Sequence, residues 1–115
     1  MASLMNQSKK ITLVENLKIA QSFRTRAQGL IGKKSMTSNE GMWFPKSNWI
    51  HTFFMSMPID VIYLDKKMTV KKLETNLRPW RFAAPVFSAN SVVEVAAGFI
   101  VNSDLQLGDI LYVGD

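Results

Sequence analysis

The stretch Ile59-Asp60-Val61-Ile62-Tyr63-Leu64-Asp65 limits what this chain can become more than any other. On an extended backbone Ile59, Val61 and Tyr63 fall on one side and Ile62 and Leu64 on the other, so a strand here is apolar on both faces. Such a strand has no side to give to water. It must lie inside a sheet that is covered above and below, and 115 residues, 47% of them apolar, supply enough chain for that. At this length folding removes roughly two-thirds of the unfolded surface from water, so a single core holds without covalent staples. There are no cysteines, which excludes disulfides, thiol catalysis and Cys-ligated metal, and the single histidine, His51, excludes two-histidine metal motifs. No cofactor is expected.

Other extended segments gather around this one. Lys10 to Glu15 alternates Ile11 and Leu13 with Thr12 and Val14, and Leu17 to Ala20 reads as a separate strand. Gly41 opens the apolar run Met42-Trp43-Phe44, which Pro45 closes. Phe53 to Met55, Ser91 to Ala96 and Ile110 to Val113 are further strands, the last following Gly108-Asp109. Asp65-Lys66-Lys67 predicts a hairpin turn into Met68 to Leu77, where Lys71-Lys72 breaks the alternation and a bulge would restore it. Arg78 to Asn90, with Pro79 and Pro85, reads as a long loop with an extended piece at Val86-Phe87, and Ala97 to Asn102 as a helical turn or irregular link. One short N-terminal helix is expected after Ser22, because Phe23, Ala27, Leu30 and Ile31 make one stripe and Gly32 stands at the C-cap position. The expected fold is therefore mainly β: a β-sandwich or partly closed barrel of about seven short strands with that helix. Residues 1–9 are expected to be a disordered tail and 10–115 a single domain.

The net charge is +5, and its position matters more than its size. Between residues 66 and 81, Lys66, Lys67, Lys71, Lys72, Arg78 and Arg81 face Glu74 alone, while the rest of the chain is balanced. Such a stripe attracts phosphate or an acidic protein, or else it serves as a solvated edge that discourages sheet-to-sheet pairing. Trp80 between Arg78 and Arg81 suits stacking on a nucleobase, or covering its own core. No apolar run approaches the 18 or so residues of a membrane span and no secretory leader opens the sequence, so a cytoplasmic, monomeric protein is expected, or an envelope or periplasmic one if a leader was removed.

Four ionisable residues fall among apolar neighbours: Arg26, His51, Asp60 and Glu94. A buried carboxylate needs a partner, and the planar guanidinium fork of Arg26 fits Asp60 or Glu94, which predicts a structural polar cluster. The competing reading makes His51 and Asp60 an acid–base pair in a small hydrolase-like enzyme, although no Gly-x-Ser-x-Gly elbow presents a nucleophile. Between Met42 and Met57 lie eight large apolar side chains. Trp49, His51, Phe53, Met55 and Met57 are the expected ligand-binding set, suited to a small apolar ligand or a protein segment. The favoured function is a non-enzymatic binding module that uses this segment together with the basic hairpin and loop. Single-stranded nucleic acid is the alternative partner.

Several segments, taken in order, resemble one family. They are Arg26-Ala27-Gln28-Gly29-Leu30-Ile31, Gly41-Met42-Trp43-Phe44, the block His51 to Asp65, Val93-Glu94-Val95-Ala96-Ala97-Gly98 and Gly108-Asp109. Together they are similar to the bacterial and archaeal domain of unknown function numbered one hundred and ninety-two, with Ile31-Gly32 in place of the more usual Met and basic residue. The resemblance implies a mostly β domain, often exported or found beside envelope components. It brings no assigned activity and hence no catalytic residues.

Overall fold

Strand propensity and the two-sided apolar pattern produce nine strands and one short helix in the computed structural model, which describes residues 2–20 and 34–114. In chain order they are β1 (Ala2–Asn6), β2 (Ile11–Ile19), β3 (Glu40–Pro45), β4 (Ile50–His51), β5 (Ile59–Leu64), β6 (Val70–Leu77), β7 (Phe82–Ala83), β8 (Ser91–Ala96), helix α1 (Phe99–Ser103) and β9 (Leu111–Gly114). Seven strands form one curled sheet in the order β6-β5-β8-β3-β2-β1-β9, and β4 pairs with β7 in a separate ribbon. All neighbours are antiparallel except β2 and β3. The edges meet at one corner, where Thr69 bridges Ile110, the Val70 amide donates to the Asp109 carbonyl at 2.8 Å and the Leu111 amide to that of Met68 at 2.9 Å. The fold is mainly β, a half-barrel.

Every residue of β5 is buried, and the alternation sorts its side chains into two layers. Ile62 and Leu64 join Leu4, Leu17, Val93, Val95 and Leu111 inside the curl, where Phe99 and Ile100 of α1 plug it. Ile59, Val61 and Tyr63 point the other way, against Met42, Phe44 and Val92. This outer layer is covered by two chain excursions, residues 46–57 and 78–90, which insert Ile50, Met55, Met57, Ala83 and Ala89. Each fully buried Ile, Val or Leu contributes about 1.5–3 kcal/mol, so the two layers together are the main source of stability.

Asp60 is the polar exception within β5 and it is fully satisfied. It lies on the inner side with Ile62 and Leu64, where its two oxygens accept the Asn76 amide at 2.8 Å and the Ile100 amide at 3.0 Å. The second contact caps α1 from a neighbouring strand. Gly98, the residue before the helix, has no side chain with which to do so and takes φ 91°.

Several expectations need correction. Ala2–Asn6 is not a disordered tail: it is strand β1, held between β2 and β9, with Leu4 in the core and the Asn6 side-chain amide donating to Asp109 at 3.0 Å. Lys10–Glu15 and Leu17–Ala20 are not two strands but the single β2, whose alternation breaks at Leu13, the extra residue between the pairs Leu4–Val14 and Met5–Thr12. Phe53 to Met55 is a turn, because the Met55 amide bonds back to the Thr52 carbonyl. The extended piece in the long loop is Phe82–Ala83 rather than Val86-Phe87. The bulge expected at Lys71-Lys72 is present: Tyr63 pairs with Lys72 and Leu64 with Val70, leaving Lys71 over. The one short helix among the described residues is α1; the helix expected after Ser22, and Arg26 with it, lies outside them.

Replacing Asp60 by Ala strands the part-buried Asn76 amide and the buried Ile100 amide at the start of α1. Urea unfolding is expected to show a loss of about 2–4 kcal/mol relative to wild type, with Asp60→Asn losing less because it keeps an acceptor.

Candidate functional site

The two outer excursions have an inner side that packs on the sheet and an outer side that does not. Alternation along β7 turns Ala83 inward and leaves Phe82 57% exposed. The turn after β4 leaves Phe53 and Phe54 outside while Met55 returns to the core. The result is a continuous chain of rings: Phe54 to Trp80 at 4.6 Å between centroids, Trp80 to Phe53 at 6.1 Å, Phe53 to His51 at 5.0 Å, His51 to Trp49 at 6.0 Å and Trp49 to Phe82 at 5.4 Å. Five of the six are exposed and His51 is half-buried. Scattered exposed aromatics are ordinary; here they form one contiguous patch.

Thr52 holds this surface together. It is fully buried, and its hydroxyl donates to the Arg78 carbonyl at 2.5 Å and accepts the Arg81 amide at 2.8 Å. Its own amide donates to the Arg81 carbonyl at 2.8 Å, and its carbonyl accepts the Trp80 amide at 2.9 Å. One small side chain thereby fixes residues 78–81 against residues 52–55. Phe54 and Trp80, whose rings touch, both have left-handed backbones, φ 65° and φ 62°. A bulky aromatic in that region is strained by about 1–3 kcal/mol, and it persists only where its surroundings impose it.

The basic residues divide. Lys71 pairs with Asp65 at 3.8 Å, while Lys72 pairs with Glu74 at 3.8 Å and lies 5.7 Å from the centre of the Tyr63 ring. Lys66 and Lys67 are exposed at the β5–β6 turn, beside Phe87, and Arg78 and Arg81 are exposed on either side of Trp80. Of the basic segment, Arg78 and Arg81 are thus the members that adjoin a ring of the chain, Trp80, in sequence.

Of the expected ligand-binding set, Trp49, His51 and Phe53 come together, whereas Met55 and Met57 are core residues, 6% and 8% exposed. The alternation that brings Met55 and Met57 inward is the one that turns Phe54 out. Phe54 and Phe82 belong to the surface and were missed as site residues; the small pair Ala83-Ala84 after Phe82 was the available signal. His51 and Asp60 are not brought together: the His51 Nδ1 accepts the Phe53 amide at 3.2 Å, while Asp60 faces the inside of the half-barrel. Nor do Asp60 and Glu94 form one cluster. Asp60 pairs with Val95 and Glu94 with Val61, which puts them on opposite sides of the sheet.

Glu94 sits on the outer side, opposite Met42 and Val61 in the ladders. No hydrogen bond or ion pair reaches it among the described residues, and burial pushes its carboxyl from an ordinary 4.5 up to about 8. The Tyr63 hydroxyl on the same side is also without a partner, and burial, with Glu74 and Glu94 adding repulsion, pushes it up to about 12. At the barrel corner the balance runs the other way. Burial raises Asp109, but hydrogen bonds from Asn6 and Gln106 and the Lys9 ammonium outweigh it and hold the carboxyl below its usual range. That corner is structural, with Gly108 at φ 90° making the turn.

Fold and site together define a class: a mainly β half-barrel domain that carries an exposed aromatic surface on its outer cover. The chain belongs to the DUF192 family, described as Uncharacterized ACR, which it matches over residues 4–113. It is 34% identical to a UPF0127 protein of Pyrococcus abyssi over 117 residues, covering 95% of each chain, and 33% identical to one of Pyrococcus horikoshii, covering 92% of this chain and 94% of that one. Among solved structures, a protein of unknown function from Novosphingobium aromaticivorans superposes with a TM-score of 0.81 at 20% identity, covering 96% of this chain and 82% of the other. A Sinorhizobium meliloti protein described as a candidate transcription regulator gives 0.83 at 21%, covering 97% and 91%. At that identity the two structures show the shared fold alone.

Two outcomes are expected. Thr52→Val removes the hydroxyl and leaves the Arg81 amide and Arg78 carbonyl unsatisfied, so urea unfolding should report a loss of about 1–3 kcal/mol, with Thr52→Ser nearer wild type. For Glu94 the folded state holds a proton that the unfolded chain releases. The stability it contributes is complete below about 4.5 and is lost as pH rises through about 8. Urea midpoints across that window should fall with pH more in wild type than in Glu94→Gln.

Proposed function

We propose that this domain is a binding module that recognises its ligand through the ring chain Phe54-Trp80-Phe53-His51-Trp49-Phe82. The observation that carries the reading is the continuity of those rings on the outside of the cover, where none of them belongs to the core beneath. Exposing such rings costs solubility, and holding Phe54 and Trp80 in left-handed backbones costs strain. A surface kept against both costs is explained by what it contacts. Rings with few rotatable bonds give contact area at low entropic cost, which suits them to stacking on a flat or apolar partner. Met55 and Met57 are buried in the outer layer and lie outside this surface.

Among the described residues no three His, Asp or Glu side chains gather as a metal site, and no helix is long and apolar enough to cross a membrane. The reading requires neither. Amide chemical-shift mapping tests it, with a panel of aromatic metabolites, short peptides and oligonucleotides titrated into the intact chain. Shifts are expected to concentrate in residues 49–54 and 80–82 and to vanish in Trp80→Ala. Ligand-induced shifts confined to the inside of the half-barrel, or to the Lys66-Lys67 turn, would contradict the proposal.

A further inference from the structure

We infer that the partner of this surface is single-stranded nucleic acid, its bases stacked on the ring chain and its phosphates held by Arg78 and Arg81. The inference rests on the binding-module reading and names the ligand class. Its first support is charge. The excursions that build the surface, residues 46–57 and 78–90, contain Lys46, Arg78 and Arg81 and not one Asp or Glu. Every carboxylate of the protein lies outside them, so the face repels cations and attracts an extended anion.

The second support is placement. Arg78 and Arg81 are exposed, and no ion pair engages either side chain among the described residues, unlike Lys71 and Lys72, which have carboxylate partners. Both arginines belong to the segment that Thr52 pins, so their side chains leave a fixed backbone on either side of Trp80 in the chain. Along the row from His51 through Phe53 to Trp80 the rings lie near parallel, at 28° and 29°. Successive centroids are 5.0 and 6.1 Å apart there, so the rings stack on one another and the row offers an extended strand one continuous aromatic surface. A duplex offers stacked bases with no free faces and does not fit.

The third support separates nucleic acid from an anionic membrane, the other polyanion that would accept rings and arginines. Beside Trp49 opens a cleft of about 310 Å³ lined by Lys46, Ser47, Asn48, Ala89 and Asn90. Its carboxamides match the donors and acceptors of a base edge or a sugar. Pressed into lipid, the same groups would have to give up water without replacement, at a cost of several kcal/mol.

Fluorescence anisotropy of a labelled oligothymidylate of about twelve nucleotides, with the full chain, tests this. Binding is expected to weaken roughly seven- to twentyfold between about 50 and 200 mM salt, as two or three phosphate contacts require. Trp80→Ala and Phe82→Ala should each weaken it at least about fivefold. The double replacement Arg78→Ala with Arg81→Ala should flatten the salt dependence. Circular dichroism and the melting midpoint identify any variant that fails to fold, and because Phe82 is the more exposed, its variant carries the test if Trp80→Ala does not fold. Equal affinity for a duplex of the same length, or affinity unchanged by either ring variant, would overturn the inference. Binding to phosphatidylglycerol vesicles with none to the oligonucleotide would overturn it too and leave the binding surface standing; a surface that responds to no ligand removes both.

Discussion

A strand with apolar residues on both sides has to be buried on both sides, and everything else in this molecule answers that requirement. β5 supplies Ile62 and Leu64 to one layer and Ile59, Val61 and Tyr63 to the other, and β8 beside it does the same with Val93 and Val95 against Val92. Curling the sheet solves the first problem, because β1, β2, β6 and β9 then close around the inner layer and α1 fills the mouth. Curvature cannot solve the second. The outer layer needs separate chain, and residues 46–57 and 78–90 provide it.

A cover made of irregular chain has two faces, and that is how packing exposes the ring chain here. Ile50, Met55, Met57 and Ala83 go down into the layer, so their neighbours Trp49, Phe53, Phe54 and Phe82 go up. Irregular chain also has backbone groups without ladder partners, and they must find partners or remain hydrated. Thr52 supplies them between the two excursions, and Asp60 does so for α1 on the other side of the sheet. Loops become a platform because the bonds that satisfy them also fix them.

The sheet was legible in the sequence because alternation reports burial directly: β3, β5, β8 and the Lys71 bulge all follow from counting faces. β1 was hidden because five residues with one buried Leu carry no pattern of their own; the partners on both sides make the strand. The site was half legible. Trp49, His51, Phe53 and Trp80 stood out by type and setting, but which of them meet depends on Thr52 joining segments 26 residues apart, and spacing along the chain does not encode that. Met55 and Met57 fell into the expected ligand-binding set for the same reason, since composition names large apolar residues without saying which side they take. Asp60 and Glu94 show the limit most clearly. Both are carboxylates within buried strands, yet one is saturated by backbone amides and the other is left to its burial, because a side chain's parity, not its type, decides what it faces.

If the cover is obligatory, it cannot open while the sheet beneath stays folded. Native-state amide hydrogen exchange reads this directly in the amides of Thr52, Trp80 and Arg81, which bind one excursion to the other, set against those of β5. The account predicts that they exchange only through global unfolding, with the same free energy and denaturant dependence as β5. Exchange of these three through a low-energy local opening, while β5 stays protected, would contradict it.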